Sequence, residues 1–201
     1  MRTLVIECAT EACSAALVED GALVDGRYEV LGRGHAERLV PMIAELEEKG
    51  RAVRILVSLG PGSFTGVRIG LAAARALGLA WNVEVFGYPT LALVAAMARE
   101  QDVTVCMNGG HGEFFVQEYA DGLAGEDVRS LAPQEAARLA AHRTIAGNRA
   151  QALADLIPGD ARAIDLLPDA RQAMLLGEAS LTTDLRPIYG RAPDAKLPQA
   201  R

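Results

Sequence analysis

The sequence of 201 residues has few aromatic residues, three cysteines and no long apolar run. Aromatic side chains make up 4% of the chain, which argues against a stacking surface for single-stranded nucleic acid. Three cysteines, an odd number without metal-ligand spacing, exclude a disulfide-stapled scaffold, and without an export signal they indicate a reducing cytoplasm. No run approaches the ~20 apolar residues of a membrane span, so we expect no membrane partner.

The charge balance and the apolar content narrow the class of protein further. The chain has 26 acidic and 20 basic residues, which give a formal net charge of −6. An acidic chain does not hold a phosphate backbone by itself, because phosphate neutralisation dominates nucleic-acid affinity. Hydrophobic residues make up 50% of the chain, which excludes disorder and allows a core. We expect a globular protein of one or two domains.

Apolar runs and apolar periodicity predict three consecutive strands, followed by helices and strands that alternate to about residue 100. The helix that starts at His35 is predicted from the spacing of Leu39, Met42, Ile43 and Leu46, with Gly50 as its C-cap. Thr65 is predicted to cap the helix that runs to about Trp81. The predicted strands are 3–8, 13–19, 22–30, 53–59 and 83–86, and a third helix covers 90–100.

A shorter version of this order follows from residue 101. Its predicted strands are 103–107, 114–119, 144–147 and 161–166, and its predicted helices are 133–142, 150–157 and 170–179. Strands before crossover helices indicate an α/β fold with mixed sheets and flanking helices. The approximate duplication is typical of the actin/Hsp70-like (ASKHA) architecture with a reduced second lobe. We predict lobes at 1–100 and 101–190 and a tail at 191–201.

A glycine-rich stretch lies where a strand leads into a helix, which is a common place for a phosphate-binding loop. It covers residues 60–70, with the sequence Gly-Pro-Gly-Ser-Phe-Thr-Gly-Val-Arg-Ile-Gly. The spacing fits neither a P-loop nor the dinucleotide fingerprint. One interpretation is a tight turn with close helix–sheet packing. The other is phosphate binding, with possible nucleotide contacts at Thr10, Ser63, Thr65 and Arg68.

Small residues recur every four positions in the helix after this loop, at Gly66, Gly70, Ala74 and Gly78. They form one stripe along the helix. Glycine costs roughly 1 kcal/mol relative to alanine inside a helix, so the stripe predicts a very close neighbour. That neighbour is either the sheet of the same subunit or a helix of another subunit. In the second case Leu39, Met42, Ile43 and Leu46 would complete the interface.

No metal or catalytic cluster is evident in the sequence, and we expect no cofactor. A helical metal pair that begins at His35 needs a second ligand at i+4, where Leu39 stands. Ser63 does not lie in a G-x-S-x-G motif. Glu7, at the end of the first strand, is either an acid that faces a nucleotide-bound metal or a capped or solvated residue.

Three stretches, 7–14, 35–43 and 60–70, together resemble the TsaB (YeaZ) family of bacterial accessory proteins for the N6-threonylcarbamoyladenosine modification of transfer RNA. The resemblance is strong over residues 1–100 and weaker at 112–115 and 187–191. It implies a non-catalytic subunit that pairs with the paralogous transferase TsaD and with the ATPase TsaE. It also implies a homodimer through the first-lobe helices, and contact with tRNA only through the complex.

The sequence departs from this family at three places. Glu7 replaces an aspartate, Asn108-Gly109-Gly110 replaces Asp-Ala-Arg, and Gly190 replaces a leucine. Two other functions stay open. A small ATP-using kinase or hydrolase of the same architecture would need a phosphate-facing aspartate and metal ligands, whereas a stand-alone homodimeric binding module would not pair with TsaD.

Overall fold

The structure is a computed structural model that describes residues 1–190, and the predicted tail at 191–201 lies outside these residues. A first sheet is built from β1 (Arg2–Glu7), β2 (Ala12–Glu19), β3 (Ala22–Val30), β4 (Arg54–Ser58) and β5 (Glu84–Tyr88). The helices of this half are α1 (His35–Ala44), α2 (Phe64–Trp81) and α3 (Thr90–Ala98).

A second sheet is built from the rest of the chain. Its strands are β6 (Asp102–Gly110), β7 (Glu113–Ala120), β8 (Leu123–Ala124), β9 (Arg129–Leu131), β10 (Thr144–Ala146) and β11 (Arg162–Ile164). The helices beside it are α4 (Pro133–Leu139) and α5 (Ala150–Ala154). Strands β8 and β9 are absent from the sequence prediction, because two and three residues are too few to show an alternating pattern.

The two sheets have the same topology. The first has the order β3-β2-β1-β4-β5 and the second the order β8-β7-β6-β10-β11, with β9 also paired to β7. In each sheet a hairpin comes first, and the strands after the crossover helices join it in parallel. The predicted duplicated α/β architecture of actin/Hsp70 type, with a reduced second half, is confirmed.

Three helices differ from the prediction in their caps or helix type, and α4 and α5 each end three residues earlier than predicted. α1 ends at Ala44, and a 3₁₀ helix (Glu47–Gly50) follows, in which Glu48 and Lys49 have positive φ, so Gly50 is not the cap of α1. Ser63 rather than Thr65 is the N-cap of α2. The predicted helix at 170–179 is a 3₁₀ helix (Ala170–Leu175), and a second 3₁₀ helix covers Glu178–Ser180.

The cores lie on the sheet faces. α1 and α2 cover one face of the first sheet, where Leu4, Ile6 and Val57 meet Leu39 and Leu71. α3 packs with Leu91, Val94 and Ala95 on the second sheet, and with Leu93 on the first. This helix is apolar on all sides because both halves of the molecule contact it. Within residues 1–190, no helix has the length and apolar character needed to cross a membrane.

The end of the described chain returns to the first sheet. Ala170 and Ala173 pack against the face opposite α2. Gly87 of β5 pairs with Thr182 as an antiparallel bridge, and the Ile188 N–H donates to the Leu59 carbonyl at 2.7 Å. The lobe division at residue 100 therefore stays a prediction, and the segment from residue 169 to 188 completes the first half of the molecule.

Candidate functional site

A cleft of about 1220 Å³ lies between the two halves of the molecule. The first half contributes the segments 9–11, 32–37 and 61–66, and the second contributes 107–111 and Asn148. The returning segment 188–190 closes one side. All four predicted nucleotide contacts, Thr10, Ser63, Thr65 and Arg68, line this cleft. The fold thus brings together residues that lie up to 181 positions apart, from residue 9 to residue 190.

The glycine loop (residues 60–66) is pressed against the turn between β1 and β2. A Cβ atom at Gly62 would overlap the carbonyl oxygen of Ala9, and one at Gly66 would overlap that of Cys8. The Ser63 N–H donates to the Ala9 carbonyl at 2.7 Å. Only glycine permits an approach this close at positions 62 and 66. This geometry supports the packing interpretation of the motif.

Two of the predicted contact hydroxyls already have backbone partners. Ser63 Oγ accepts from the Gly66 N–H at 3.2 Å and so caps α2. Thr10 Oγ1 accepts from the Ala12 N–H at 3.2 Å and supports the first turn. The Thr65 side chain, by contrast, is exposed in the cleft. These roles are structural, and they leave the hydroxyl hydrogens of Ser63 and Thr10 available to donate.

An aromatic cluster lies at the rim of the cleft. The Arg68 guanidinium lies over the Phe64 ring, 3.4 Å from its centroid, and its Nη2 donates to the Tyr189 hydroxyl at 3.1 Å. The Phe64 and Tyr189 rings are 5.9 Å apart. Phe64 is 56% exposed and Tyr189 is 51% exposed. The cluster therefore presents planar groups to the cleft instead of burying them.

Glu7 is fully buried below the cleft and does not line it. Its Oε1 accepts from the Ala9 N–H at 2.7 Å and from the Ser58 hydroxyl at 2.8 Å, and its Oε2 accepts from the Tyr88 hydroxyl at 3.2 Å. Burial raises the pKa of Glu7 to about 7. Of the two interpretations of Glu7, the geometry does not support a carboxylate that faces a nucleotide-bound metal, because its oxygens accept from the backbone and from hydroxyl groups of the first sheet.

Asn148 connects the two halves across the cleft. Its Nδ2 donates to Glu11 Oε1 at 2.9 Å, and its Oδ1 accepts from the Asn108 N–H at 2.9 Å. Asn108 Oδ1 in turn accepts from the Gly110 N–H at 3.2 Å. The hairpin end of each sheet is thus tied to the same amide side chain.

The histidines do not form a metal site. His35 is buried, with Nε2 at 3.3 Å from the Ala12 carbonyl, and Leu39 is fully buried one turn further on. His111 is exposed at the β6–β7 turn, and His142 lies 3.7 Å from Glu118. No group of three or more His, Cys, Asp or Glu side chains in the described part of the chain has metal-binding geometry.

The predicted interface residues require a correction. Leu39, Met42, Ile43, Leu46 and the stripe of Gly66, Gly70, Ala74 and Gly78 are all buried within the subunit. A Cβ at Gly78 would lie 2.5 Å from Val85 Cγ2, and one at Gly70 would lie 3.5 Å from Val57 Cγ2. The close neighbour of the stripe is the first sheet. The prediction that these side chains contact another subunit is therefore wrong.

Sequence reasoning missed three residues of the cleft. Phe64 and Tyr189 stand out as exposed aromatic side chains in a chain with few aromatics, but their sequence separation conceals that they are neighbours. Asn148 lies two residues after the end of β10, and asparagine after a strand is too common to single out without the fold.

Comparisons with known proteins agree with one another. Residues 29–182 match the family model described as TsaD, tRNA N6-adenosine threonylcarbamoyltransferase. The tRNA threonylcarbamoyladenosine biosynthesis protein TsaB of Escherichia coli K12 is 31% identical over 220 aligned positions, which cover 95% of each chain. The solved structure of YeaZ from Pseudomonas aeruginosa superposes with a TM-score of 0.79 at 27% identity, over 94% of this chain and 99% of that one. Another solved structure, of an uncharacterized protein described as similar to the peptidase YEAZ from Pseudomonas aeruginosa, has a TM-score of 0.78 at 29% identity, over 94% of this chain and 99% of that one.

Proposed function

This chain belongs to the TsaB (YeaZ) family, and on that premise we propose that it is a non-catalytic subunit in the synthesis of N6-threonylcarbamoyladenosine in tRNA. The observation that carries the proposal is the state of Glu7. The one acid at the position where a catalytic relative would need a metal-facing aspartate is buried and hydrogen-bonded on both oxygens. Chemistry on the tRNA then belongs to a partner, TsaD, with TsaE as a third component.

The outward faces of α1 and α2 are the proposed contact with TsaD, and with a second copy of the chain when TsaD is absent. The inward faces of both helices are buried in the core of the subunit. The outward faces carry small and apolar side chains: Ala36, Val40, Ala44, Ala72, Ala76 and Leu79. Val40 is 62% exposed and Leu79 is 87% exposed, so both apolar side chains are free to contact a partner. Small side chains also let a partner helix approach closely.

Two aspartate variants test this surface. Val40→Asp and Leu79→Asp place a charge in the proposed contact without touching the core, so we expect folded proteins that no longer co-purify with TsaD. The matched control is Leu123→Asp on β8, where the leucine is 66% exposed and far from α1 and α2 in the topology. TsaD pairing that survives in both test variants would rule out this surface. No pairing of the unaltered chain with TsaD would rule out the proposed function itself.

A transfer assay tests the non-catalytic role. With threonylcarbamoyl-AMP and tRNA supplied, we expect no transfer of the threonylcarbamoyl group by this chain alone, and transfer when TsaD is added. With the label on the threonine of the threonylcarbamoyl-AMP, the readout is labelled modified adenosine after the recovered tRNA is digested to nucleosides. Transfer by the isolated chain would show that it carries the catalytic site itself.

A peptidase role has no support in the geometry, although one relative is described by similarity to a peptidase. Nucleophilic peptidases need a serine or cysteine within hydrogen-bond reach of a base. In the part of the chain that the structure describes, no serine or cysteine is hydrogen-bonded to a histidine, and Ser58, which donates to the Glu7 carboxylate, is buried with it away from the cleft. A small ATP-using enzyme is also disfavoured. It would need a carboxylate that faces a nucleotide-bound metal, and Glu7 does not line the cleft.

A further inference from the structure

Two of the three cysteines lie side by side at the turn between β1 and β2. Cys8 Sγ and Cys13 Sγ are 3.5 Å apart, and both residues are fully buried. The last paired residues of the two strands are Glu7 and Ser14, so the cysteines occupy the next position of the hairpin. Both side chains belong to the core under α1 and α2, on the same face of the first sheet. The fold therefore keeps two thiols in contact.

The geometry of this hairpin position is compatible with a disulfide bond. Opposite residues of an antiparallel pair have Cα atoms about 4.5–5.5 Å apart, and disulfides span Cα distances of about 4.4–6.8 Å. The sulfur atoms have to move from 3.5 Å to a bond length of about 2.05 Å. Rotation of the two side chains supplies this movement, so the strands can stay paired while the bond forms.

The two thiols are not equivalent. The Cys8 S–H donates to Cys13 Sγ, which lowers the pKa of Cys13, and the Arg38 guanidinium favours the same thiolate. The same hydrogen bond, together with burial, raises the pKa of Cys8 well above its ordinary value. The thiolate is the form of cysteine that attacks an oxidant. Cys13 is therefore the thiol that reacts first, and Cys8 is the second.

The packing around the pair restricts which oxidant and which product fit. A Cβ atom at Gly70 of α2 would lie only 3.6 Å from Cys8 Cβ, so the helix leaves no room for a bulky adduct such as glutathione. The turn that covers the pair, residues 9–11, lines the cleft, and a brief local opening of this turn admits a molecule little larger than water. These features favour a small peroxide as the oxidant and an internal disulfide as the product.

We propose that Cys8 and Cys13 form a reversible disulfide when the chain meets hydrogen peroxide. The Cys13 thiolate attacks one peroxide oxygen, the O–O bond breaks, and the hydroxide that leaves recovers as water the proton that Cys13 had lost. Cys13 is then a sulfenic acid. The Cys8 sulfur attacks Cys13 Sγ, the S–S bond forms, the S–O bond breaks, and the hydroxide leaves as water with the Cys8 proton. The two thiols lose two electrons and two protons, and the peroxide is reduced to two molecules of water.

Peroxide treatment of the full chain, followed by alkylation of the remaining thiols in denaturant and mass spectrometry, tests the proposal. At a dose that leaves Cys106 reduced, we expect one alkylated cysteine, and the peptide that carries Cys8 and Cys13 should be lighter by two hydrogen atoms. Dithiothreitol should restore three alkylated cysteines. Cys106 is the internal reference, because it is also fully buried but lies on β6 in the second sheet.

Two serine variants separate the roles of the two thiols. In Cys8→Ser the second thiol is missing, so the sulfenic acid on Cys13 should accumulate and be trapped by dimedone. In Cys13→Ser the thiol of lowered pKa is gone, and Cys8 should stay reduced. Thermal unfolding confirms that each variant is folded, and the mapping of the unaltered chain depends on neither. Oxidation of Cys106 as fast as that of the pair, three alkylated cysteines after treatment, or equal trapping in the two variants would overturn the proposal.

Discussion

The Asn148 side-chain amide donates to the Glu11 carboxylate at 2.9 Å, across 137 positions of sequence and across the cleft between the two halves of the molecule. Because Asn148 also accepts the Asn108 N–H, one side chain holds the ends of both leading hairpins. The width of the cleft therefore depends on a polar contact as well as on the apolar packing of α3.

Asn148→Ala should lower the free energy of unfolding by about 1–2 kcal/mol, because a charge-assisted hydrogen bond and a backbone partner are lost together. It should also speed hydrogen exchange of the Asn108 amide. Urea unfolding and amide exchange are the measurements. Gln101→Ala is the control, since Gln101 makes a similar bond to Asp121 at 2.7 Å within the second half alone. Equal exchange at Asn108 in the two variants would contradict the bridging role.

Glu7 makes the stability depend on pH. Its pKa is about 7 in the folded chain and 4.5 as the ordinary value. The folded state therefore binds more protons than the unfolded state between these values, and stability falls as the pH rises from 4.5 to 7. A shift of this size corresponds to roughly 3 kcal/mol, lost in full above the folded pKa.

Glu7→Gln removes this titration while it keeps an acceptor for the Ala9 N–H. We expect the variant to gain stability relative to the unaltered chain as the pH is raised from 5 to 8. Urea unfolding at several pH values measures the free energy of unfolding of both proteins. The difference between the two proteins isolates Glu7, because the surface acids titrate in the same way in both. A constant difference between the two proteins over this range would show that Glu7 ionises in the folded state as it does in water.

The glycines of α2 should respond to alanine in opposite ways. Gly66→Ala should destabilise by about 3 kcal/mol, because its Cβ would overlap the Cys8 carbonyl oxygen and the backbone of β1 must move. Gly70→Ala places its Cβ at ordinary contact distance, 3.5 Å from Val57 Cγ2. It should be neutral or stabilise by up to about 1 kcal/mol through helix propensity. Thermal unfolding compares the two, and equal effects would contradict the packing described for the loop.

The isolated chain should not bind tRNA at physiological salt. Its net charge of −6 opposes the phosphate backbone, and phosphate contacts supply most of the affinity for nucleic acid. Mobility shift with an unmodified tRNA, alone and with TsaD present, is the measurement. A salt-sensitive shift at micromolar concentrations of the isolated chain would contradict this expectation.

The order of the elements was predictable because periodicity is local. The short apolar runs of β1 and β2 and the 3.6-residue spacing in α1 are visible within a few residues. The stripe of α2 shows the limit of this reasoning. Its spacing demands a close neighbour, but a sheet and a partner helix produce the same spacing, and only the position of Val85 decides between them.

The chemistry of the cleft was less accessible to sequence reasoning. The four predicted contacts do line it, since Thr10 lies in the β1–β2 turn and the other three lie at the start of α2. The bond between Arg68 and Tyr189 spans 121 positions, and no local pattern relates two residues that far apart. For Glu7 the sequence left two interpretations open, because the partners that satisfy it, Ser58 and Tyr88, lie on other strands.

The return of the segment 169–188 to the first sheet bears on how the chain is made. Ala170 and Ala173 cover a face that would otherwise expose Val5, Ala16 and Leu56. During synthesis on the ribosome, residues 1–100 emerge early but lack this cover until nearly the whole chain has been translated. The half of the molecule that is translated first therefore completes its fold last. A fragment that stops at residue 100 should aggregate rather than fold.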